Sequence, residues 1–248
     1  MSPRRWAVVQ PRMHWTLEGN VAETVAALEA AAAAGAEGCV GTELALTGFH
    51  RRLPELLDAT ALADAEAMLR ACCARRRLAA AIGVPTLGAD GAVFNSHVYI
   101  DPAGREVGRV HKRGLTASEA GFFAPGGTRG WTSLAGLAVT SVLCREMLDI
   151  DALRVELSPP PPGVRVIFWP SYIGESDTEQ TALCAAYREG ARRLAVELGA
   201  WVLQSNWPEA LNLPGAHGFG HSVVIAPGGQ RVATLPRDAA ALQLVEIA

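Results

Sequence analysis

The sequence predicts an α/β fold, a four-layer α-β-β-α sandwich of two mixed β-sheets flanked by helices. Short apolar runs with strand character alternate with helical runs along the 248 residues, and each half contains a hairpin signal. The second half repeats the order of elements found in the first. Because a chain of this length can bury one large core, we expect a single domain over residues 1–248.

The first half predicts three strands, two helices and an antiparallel hairpin. A strand at residues 5–10 leads to a helix at 19–34, where Val21, Val25 and Leu28 recur at helical spacing. The elements that follow are a strand at 37–40, a helix at 58–77, a strand at 78–84 that we expect Pro85 to end, and strands at 93–100 and 106–111 around Asp-Pro-Ala-Gly.

The second half predicts the same kind of units. A strand at 137–143 leads into Cys144 and then into a helix at 150–157, and the run Ser-Pro-Pro-Pro-Pro-Gly at 158–163 predicts a loop within the domain. The elements that follow are a strand at 164–169, a long helix at 177–198, a strand at 200–205, a hairpin of 222–226 and 230–235 around Pro-Gly-Gly, and a last strand at 242–246.

Composition argues against several classes of function. The chain has 22 basic and 25 acidic residues, a net charge of -3, and one short basic cluster at 75–77, so we expect no nucleic-acid partner. No apolar run approaches the roughly 20 residues of a membrane helix, and the N-terminal apolar stretch is too brief for a signal peptide. Five cysteines without CxxC spacing favour neither disulfides nor zinc, so we expect a cytoplasmic protein.

Three ionisable side chains lie where predicted strands end among apolar neighbours. Cys144 follows a buried run, Glu43 closes the second strand, and Lys112 closes the hairpin. A carboxylate could take the proton of the thiol, and an ammonium group could stabilise the oxyanion that forms when sulfur attacks a carbonyl or nitrile carbon. Spacing alone leaves open a packed cysteine and two solvated charges.

The strings around these residues resemble the nitrilase superfamily of carbon–nitrogen hydrolases. Gly-Thr-Glu-Leu-Ala-Leu-Thr-Gly-Phe at 41–49 resembles the segment around the general-base glutamate of that family, with threonine in place of the usual proline. His-Lys-Arg-Gly-Leu at 111–115 resembles the lysine segment, and Leu-Cys-Arg-Glu at 143–146 resembles the nucleophile segment. Further similar strings follow in the family's order over nearly the whole chain.

The resemblance implies a role for each residue. Cys144 would be the nucleophile, Glu43 the general base and Lys112 the transition-state stabiliser, with the backbone N–H of Arg145 helping to hold the oxyanion. Glu119, in Ser-Glu-Ala-Gly-Phe, matches a second glutamate that orients the lysine and the substrate in many relatives. The implied reaction requires no metal or organic cofactor.

Other residues receive structural or substrate-binding roles. We expect Arg154 to anchor its helix by an ion pair, and His111 and His221 to be structural rather than catalytic. The aromatic residues Trp169, Tyr172 and Trp207 are candidates for lining a pocket.

Departures from the family pattern follow the nucleophile directly. Relatives carry an aromatic residue and Asp after the cysteine, whereas this chain carries Arg145 and Glu146. Arg145 could bind an anionic group of the substrate, or it could form a salt bridge with Glu146.

The function predicted from the sequence is hydrolysis of a non-peptide C–N bond. The substrate would be a small amide or N-carbamoyl compound cleaved through a Cys144 thioester, with a true nitrilase or a catalytically silent binding module as alternatives. A half-sandwich leaves an apolar helical face, and relatives pair such faces, so we expect a homodimer or a higher homo-oligomer through the helix at 177–198.

Overall fold

The computed structural model describes residues 3–248 and contains two six-stranded mixed β-sheets. The first sheet consists of β1 (Arg4–Gln10), β2 (Gly38–Val40), β3 (Ala79–Leu87), β4 (Val93–Ile100), β5 (Glu106–His111) and β12 (Ala241–Ile247). The second consists of β6 (Thr132–Leu134), β7 (Leu137–Ser141), β8 (Arg165–Ser171), β9 (Trp201–Asn206), β10 (Val223–Ile225) and β11 (Arg231–Thr234). Their strand orders are β12-β1-β2-β3-β4-β5 and β11-β10-β9-β8-β7-β6.

Helices cover the outer face of each sheet and complete four layers, as the sequence predicts. The helices are α1 (Leu17–Ala33), α2 (Ala59–Arg76), α3 (Ala117–Ala120), α4 (Ile150–Glu156) and α5 (Thr178–Leu198). Helices α1 and α2 pack on the first sheet, and α4 and α5 pack on the second. Among residues 3–248, no helix combines the length and apolar composition needed to cross a membrane.

The core between the two sheets is built from alternating inward side chains of both. Trp6 of β1 meets Phe168 of β8 with ring centroids 5.1 Å apart, and both side chains are fully buried. Two further apolar cores separate each sheet from its own helices. Burial at about 25 cal/mol per Å² of apolar surface makes these three layers the main stabilising contribution to the fold.

Helix α5 shows how local sequence sets the bounds of an element. The Asp177 carboxylate accepts a hydrogen bond from the Gln180 backbone N–H (2.8 Å) and caps the first turn. Gly199 ends the helix in the left-handed region at φ 55°, where a side chain would be strained. The predicted helix at 177–198 is therefore confirmed within one residue.

The prediction that Pro85 ends its strand is wrong. Strand β3 continues to Leu87, and Pro85 pairs with Asn95 of β4. The neighbour on the other side, β2, pairs only with residues 79–81 of β3. Beyond Ala81, no strand within residues 3–248 pairs with β3 on that side. Pro85 therefore interrupts no hydrogen bond by lacking an N–H group, and the strand continues past it.

Several short elements were not predicted from the sequence, and some predicted strands are shorter in the structure. The edge strand β6 and the helix α3 each span fewer than five residues, too few for a periodic signal. Strand β7 ends at Ser141, whereas we predicted a strand to residue 143. The nucleophile candidate thus lies beyond the strand and begins a 3-10 turn, Cys144–Leu148.

Candidate active site

The candidate residues follow the ends of strands in both sheets. Glu43 lies three residues after β2 and Cys144 three residues after β7, whereas Lys112 and Tyr172 directly follow β5 and β8. Strands β2, β7 and β8 all take part in parallel ladders, whose carboxyl ends meet at one edge of a sheet. The site is therefore built by segments far apart in the sequence.

Glu43 is completely buried and uses only one of its two carboxylate oxygens in contacts with protein groups. Lys112 Nζ and Asn95 Nδ2 both donate to its Oε1, each at 2.8 Å. Its Oε2 is buried and has no hydrogen-bond partner among residues 3–248. Burial raises the pKa of Glu43, and the positive charge of Lys112 offsets only part of this effect.

Lys112 lies between two carboxylates. Its Nζ donates to Glu119 Oε1 at 2.5 Å as well as to Glu43, and its side chain is 1 % exposed. Burial alone would lower the pKa of Lys112, but the negative charges of Glu43 and Glu119 outweigh burial and raise it. Lys112 is thus a buried ammonium group held between two carboxylates.

Glu119 is fixed by the short helix α3, which it caps. The Thr116 backbone N–H donates to Glu119 Oε2 at 2.9 Å, and the Thr116 hydroxyl accepts from the Glu119 backbone N–H. This capping box leaves Oε1 free to hold Lys112. The sequence-predicted residues Glu43, Lys112 and Glu119 therefore lie in one hydrogen-bonded chain.

Cys144 occupies a sharp turn between β7 and the 3-10 turn. Its φ of 47° is in the left-handed region, which costs a non-glycine residue about 1–3 kcal/mol and is often found at functional sites. The thiol is 8 % exposed and Sγ donates weakly to the Tyr172 carbonyl oxygen at 3.9 Å. Burial and the charge of Glu43 raise the pKa of the thiol, and the Lys112 cation opposes this shift.

Two tryptophans hold the backbone of the site. Trp169 is fully buried in the core beneath α5, and its Nε1 donates to the Cys144 carbonyl oxygen at 3.1 Å. Trp207 Nε1 donates to the Glu43 carbonyl oxygen at 2.7 Å. Tyr172 is half-buried, and its ring stacks on Phe49 with centroids 4.9 Å apart.

Sequence reasoning missed the role of Glu146, which anchors the 3-10 turn Cys144–Leu148. We call this segment the nucleophile turn, after the candidate nucleophile that begins it. Its buried carboxylate accepts from the Leu143 backbone N–H (2.8 Å), the Arg113 and Gly114 backbone N–H groups (2.8 and 2.9 Å), and both Nη atoms of Arg129 (2.6 and 2.7 Å). Burial alone would raise the pKa of Glu146, but Arg129 outweighs it and holds the pKa below its ordinary value. Glu146 thereby joins the nucleophile turn to the loop after Lys112.

The alternative of a salt bridge between Arg145 and Glu146 is therefore wrong. Glu146 is engaged with Arg129, and Arg145 instead extends along its own turn to Asp149, with N–O distances of 3.4 Å. Both partners of this looser pair are partly exposed. The guanidinium of Arg145 is thus available at the surface of the turn.

The residues expected to be structural have contacts outside this chain of carboxylates. Arg154 pairs with Glu197 at 3.3 Å and joins α4 to α5. His111 Nδ1 lies 2.7 Å from the Ser96 hydroxyl, and His221 lies beside Arg188. Within residues 3–248, no group of three or more His, Cys, Asp and Glu side chains is arranged to hold a metal ion.

A cavity of about 300 Å³ opens beside the site and reaches Glu119. Its walls combine apolar side chains, among them Phe49, Leu53, Phe122 and Phe123, with an equal number of polar ones, among them Arg51 and Asn212. We call it the aromatic cavity.

Comparisons with known proteins show the family and the fold. A carbon-nitrogen hydrolase family model matches residues 5–248. A search of curated proteins finds no match. Among solved structures, a mutant amidase from Nesterenkonia sp. AN1 in complex with acrylamide is 19% identical with a TM-score of 0.84, and covers 100% of this chain and 92% of that chain.

Two further solved structures have the same fold. A mutant of the same amidase in complex with butyramide is 20% identical, with a TM-score of 0.83 and coverage of 99% and 91%. A carbon-nitrogen hydrolase from Helicobacter pylori G27 is 19% identical, with a TM-score of 0.86 and coverage of 99% and 89%. The family model spans nearly the whole chain, and this protein therefore belongs to the carbon–nitrogen hydrolase family, the family that its motifs resemble.

Proposed function

We propose that the protein hydrolyses the C–N bond of a small amide through a thioester on Cys144, with Glu43 as the general base. The observation that carries this proposal is the divided use of the Glu43 carboxylate. One oxygen is held by Lys112 and Asn95, while the other is buried without a protein partner among residues 3–248. A buried base with a raised pKa and one free oxygen is suited to proton transfer near neutral pH.

The thiol requires such a base because its own pKa is raised. Cys144 rests as the thiol, so attack on the amide carbon must be coupled to transfer of its proton to Glu43. A C–S bond forms, the proton passes from Glu43 to the amide nitrogen, and the C–N bond breaks to release ammonia or an amine. Water then attacks the thioester, with Glu43 again taking the proton, and the acid product and the thiol are released.

Lys112 and the nucleophile turn supply the positive end of the site. The charged Lys112 ammonium, held by Glu119, would stabilise the oxyanion of both tetrahedral intermediates. Arg145 occupies the first turn of the 3-10 segment, where a backbone N–H has no acceptor within the turn. That N–H is the second donor in our proposal, and the roles of Glu43, Lys112, Cys144 and Glu119 follow the family resemblance.

The alternative hypothesis, a binding module without catalytic activity, is less favoured for a physical reason. Removing several charges from water costs several kcal/mol per ion, and Glu43, Lys112 and Glu119 are all buried within one network. A binding module has no need to bury a base and a cation beside a cysteine whose backbone is strained. Hydrolysis makes use of all four groups.

The experiment is a screen for ammonia release from simple amides, ureido acids and nitriles, with Cys144→Ala as the matched inactive variant. We expect amides to be cleaved by the wild type and not by the variant. Turnover of nitriles or ureido acids in place of amides would change the substrate class. No turnover of any class would contradict the proposal.

We also propose that the protein forms a homodimer or higher homo-oligomer through the outer faces of α4 and α5, and that it acts in the cytoplasm. Apolar side chains are exposed there, with Val155 70 % exposed, and Leu183 and Val196 more than a third exposed. Exposed apolar side chains on one layer favour association. All five cysteines are unpaired, as expected in a reducing compartment.

A further inference from the structure

The aromatic cavity borders the candidate active site at Glu119. Glu119 forms part of its wall, and the Oε1 atom of that residue is 2.5 Å from Lys112 Nζ. Phe49, another wall residue, stacks on Tyr172, whose carbonyl oxygen is the acceptor of the Cys144 thiol. The cavity is therefore linked to Lys112 through Glu119, and to Cys144 through Phe49 and Tyr172.

The walls of the cavity are suited to an apolar ring. Phe122 and Phe123 meet edge to face with centroids 4.8 Å apart, and Leu53 and Phe49 belong to the same apolar cluster. Arg51, also on the wall, has its guanidinium 5.4 Å from the centre of the Trp15 ring. A volume of about 300 Å³ is at the small end of ligand pockets, which favours a substituent of about one ring.

The enclosed side of the site determines which end of the amide enters the cavity. The leaving nitrogen must receive its proton from Glu43, and the side chains of Glu43 and Lys112 are 0 % and 1 % exposed. Glu119, the third member of this buried network, borders the aromatic cavity, which therefore offers space to the acyl substituent.

We propose that the substrates are primary amides with an aryl or arylalkyl acyl group, and that Phe49 and Phe122 determine this preference. This inference rests on the proposed amide hydrolysis. The reaction would convert R–CO–NH₂ and water into R–COOH and ammonia, with the ring of R packed among the phenylalanines.

The test compares kcat/KM for phenylacetamide, acetamide and succinamic acid on the wild-type enzyme. We expect phenylacetamide to exceed acetamide by about tenfold or more, since apolar pocket contacts discriminate by about 10–200-fold. The amide with a distal carboxylate should be a poor substrate, because its carboxylate would lie among the phenylalanines, and Arg51, the arginine that lines the cavity, lies over the Trp15 ring.

Two variants test the role of the cavity wall. Phe122→Ala should lower the ratio of phenylacetamide to acetamide kcat/KM by about tenfold, chiefly through KM, since it removes part of an apolar pocket. Phe122→Leu keeps most of the side-chain volume, so its ratio of phenylacetamide to acetamide kcat/KM should lie between those of the wild type and Phe122→Ala. This variant separates the effect of losing the ring from the effect of losing the fold. Met68→Ala truncates an exposed apolar side chain on α2 and should leave kcat/KM unchanged for both substrates.

The two proposals fail in distinguishable ways. If acetamide is cleaved as well as or better than phenylacetamide, or if succinamic acid is preferred, this inference is wrong while amide hydrolysis stands. An unchanged substrate ratio in both Phe122 variants would also overturn it. If no amide is cleaved, the proposed function fails and the acyl preference fails with it.

Discussion

Replacement of Glu146 by glutamine tests the reasoning that a buried carboxylate fixes the nucleophile turn. The change keeps the size of the side chain but removes its charge and one acceptor oxygen. Arg129 would lose its charged partner at 2.6 and 2.7 Å and keep the Ser141 carbonyl oxygen at 2.9 Å and Glu156, 3.5 Å away. Of the three backbone N–H groups that now donate to Glu146, at least one would lose its acceptor.

The magnitude follows from the burial of this pair. Breaking a buried ion pair by removing one partner costs about 3–5 kcal/mol, and the remaining contact to Glu156 favours the lower end, about 3 kcal/mol. The folded-state pKa of Glu146 is lowered, so its stabilisation is present above the unfolded pKa and is lost as pH falls through the folded value. The difference in the free energy of unfolding between wild type and Glu146→Gln should have its full value at pH 7. This difference should become smaller below about pH 4.5.

The assay is urea unfolding at several pH values, together with kcat for an amide substrate. A displaced nucleophile turn should lower kcat by about 10²-fold, the effect of a misplacement near 1 Å. Glu189→Gln is the matched control, because Glu189 makes a comparable ion pair with Arg192 but both are exposed on α5. Equal effects of the two substitutions, or a stability difference that does not narrow in acid, would refute the reasoning.

Four other predictions concern the site and its assembly. Glu43→Gln should lower kcat/KM by about 10²–10⁴-fold with an unchanged circular dichroism spectrum, and full activity would exclude a general base at this position. The acidic limb of kcat/KM should lie above the ordinary carboxyl value of 4.5 because burial raises the pKa of Glu43, and Glu119→Gln should move that limb to lower pH by removing a negative charge; an upward shift would contradict the assignment. Trp169→Phe leaves the buried Cys144 carbonyl without its donor and should cost about 1–3 kcal/mol in urea unfolding together with a lower kcat, whereas a neutral result would mean that the indole positions nothing. Val155→Asp should shift sedimentation toward the monomer, and an unchanged sedimentation coefficient would place the interface elsewhere.

The strand ends were the part of the site that the sequence could predict. Glu43, Lys112 and Glu119 lie within motifs that carry their own local signal, and the structure brings these three side chains together. The positions of Glu43 and Cys144 differ by a few residues from the predicted strand ends. Strand β2 ends at Val40, as predicted, and Glu43 lies in the buried turn that follows it. Strand β7 ends at Ser141, two residues early, because Val142 and Leu143 are buried in the turn before Cys144.

The supporting contacts could not be predicted because they join segments without a shared pattern. Arg129 reaches Glu146 from a loop of glycine and polar residues, and nothing in its sequence marks it as buried. Trp169 was a candidate for the pocket wall, but the orientation of an indole at a strand end depends on packing that only the folded core determines. Pro85 remained within its strand because the neighbouring strand is short, which is a property of the whole sheet.

Intact-protein mass spectrometry of the acyl-enzyme tests the central claim most directly. After rapid mixing with an amide substrate and acid quenching, the mass should rise by that of the acyl group less one hydrogen, and peptide mapping should place the increment on Cys144. Cys184→Ala, which removes another buried cysteine, should still form the adduct, and Cys144→Ala should not. Turnover by Cys144→Ala, or an adduct on any other residue during turnover, would contradict the account.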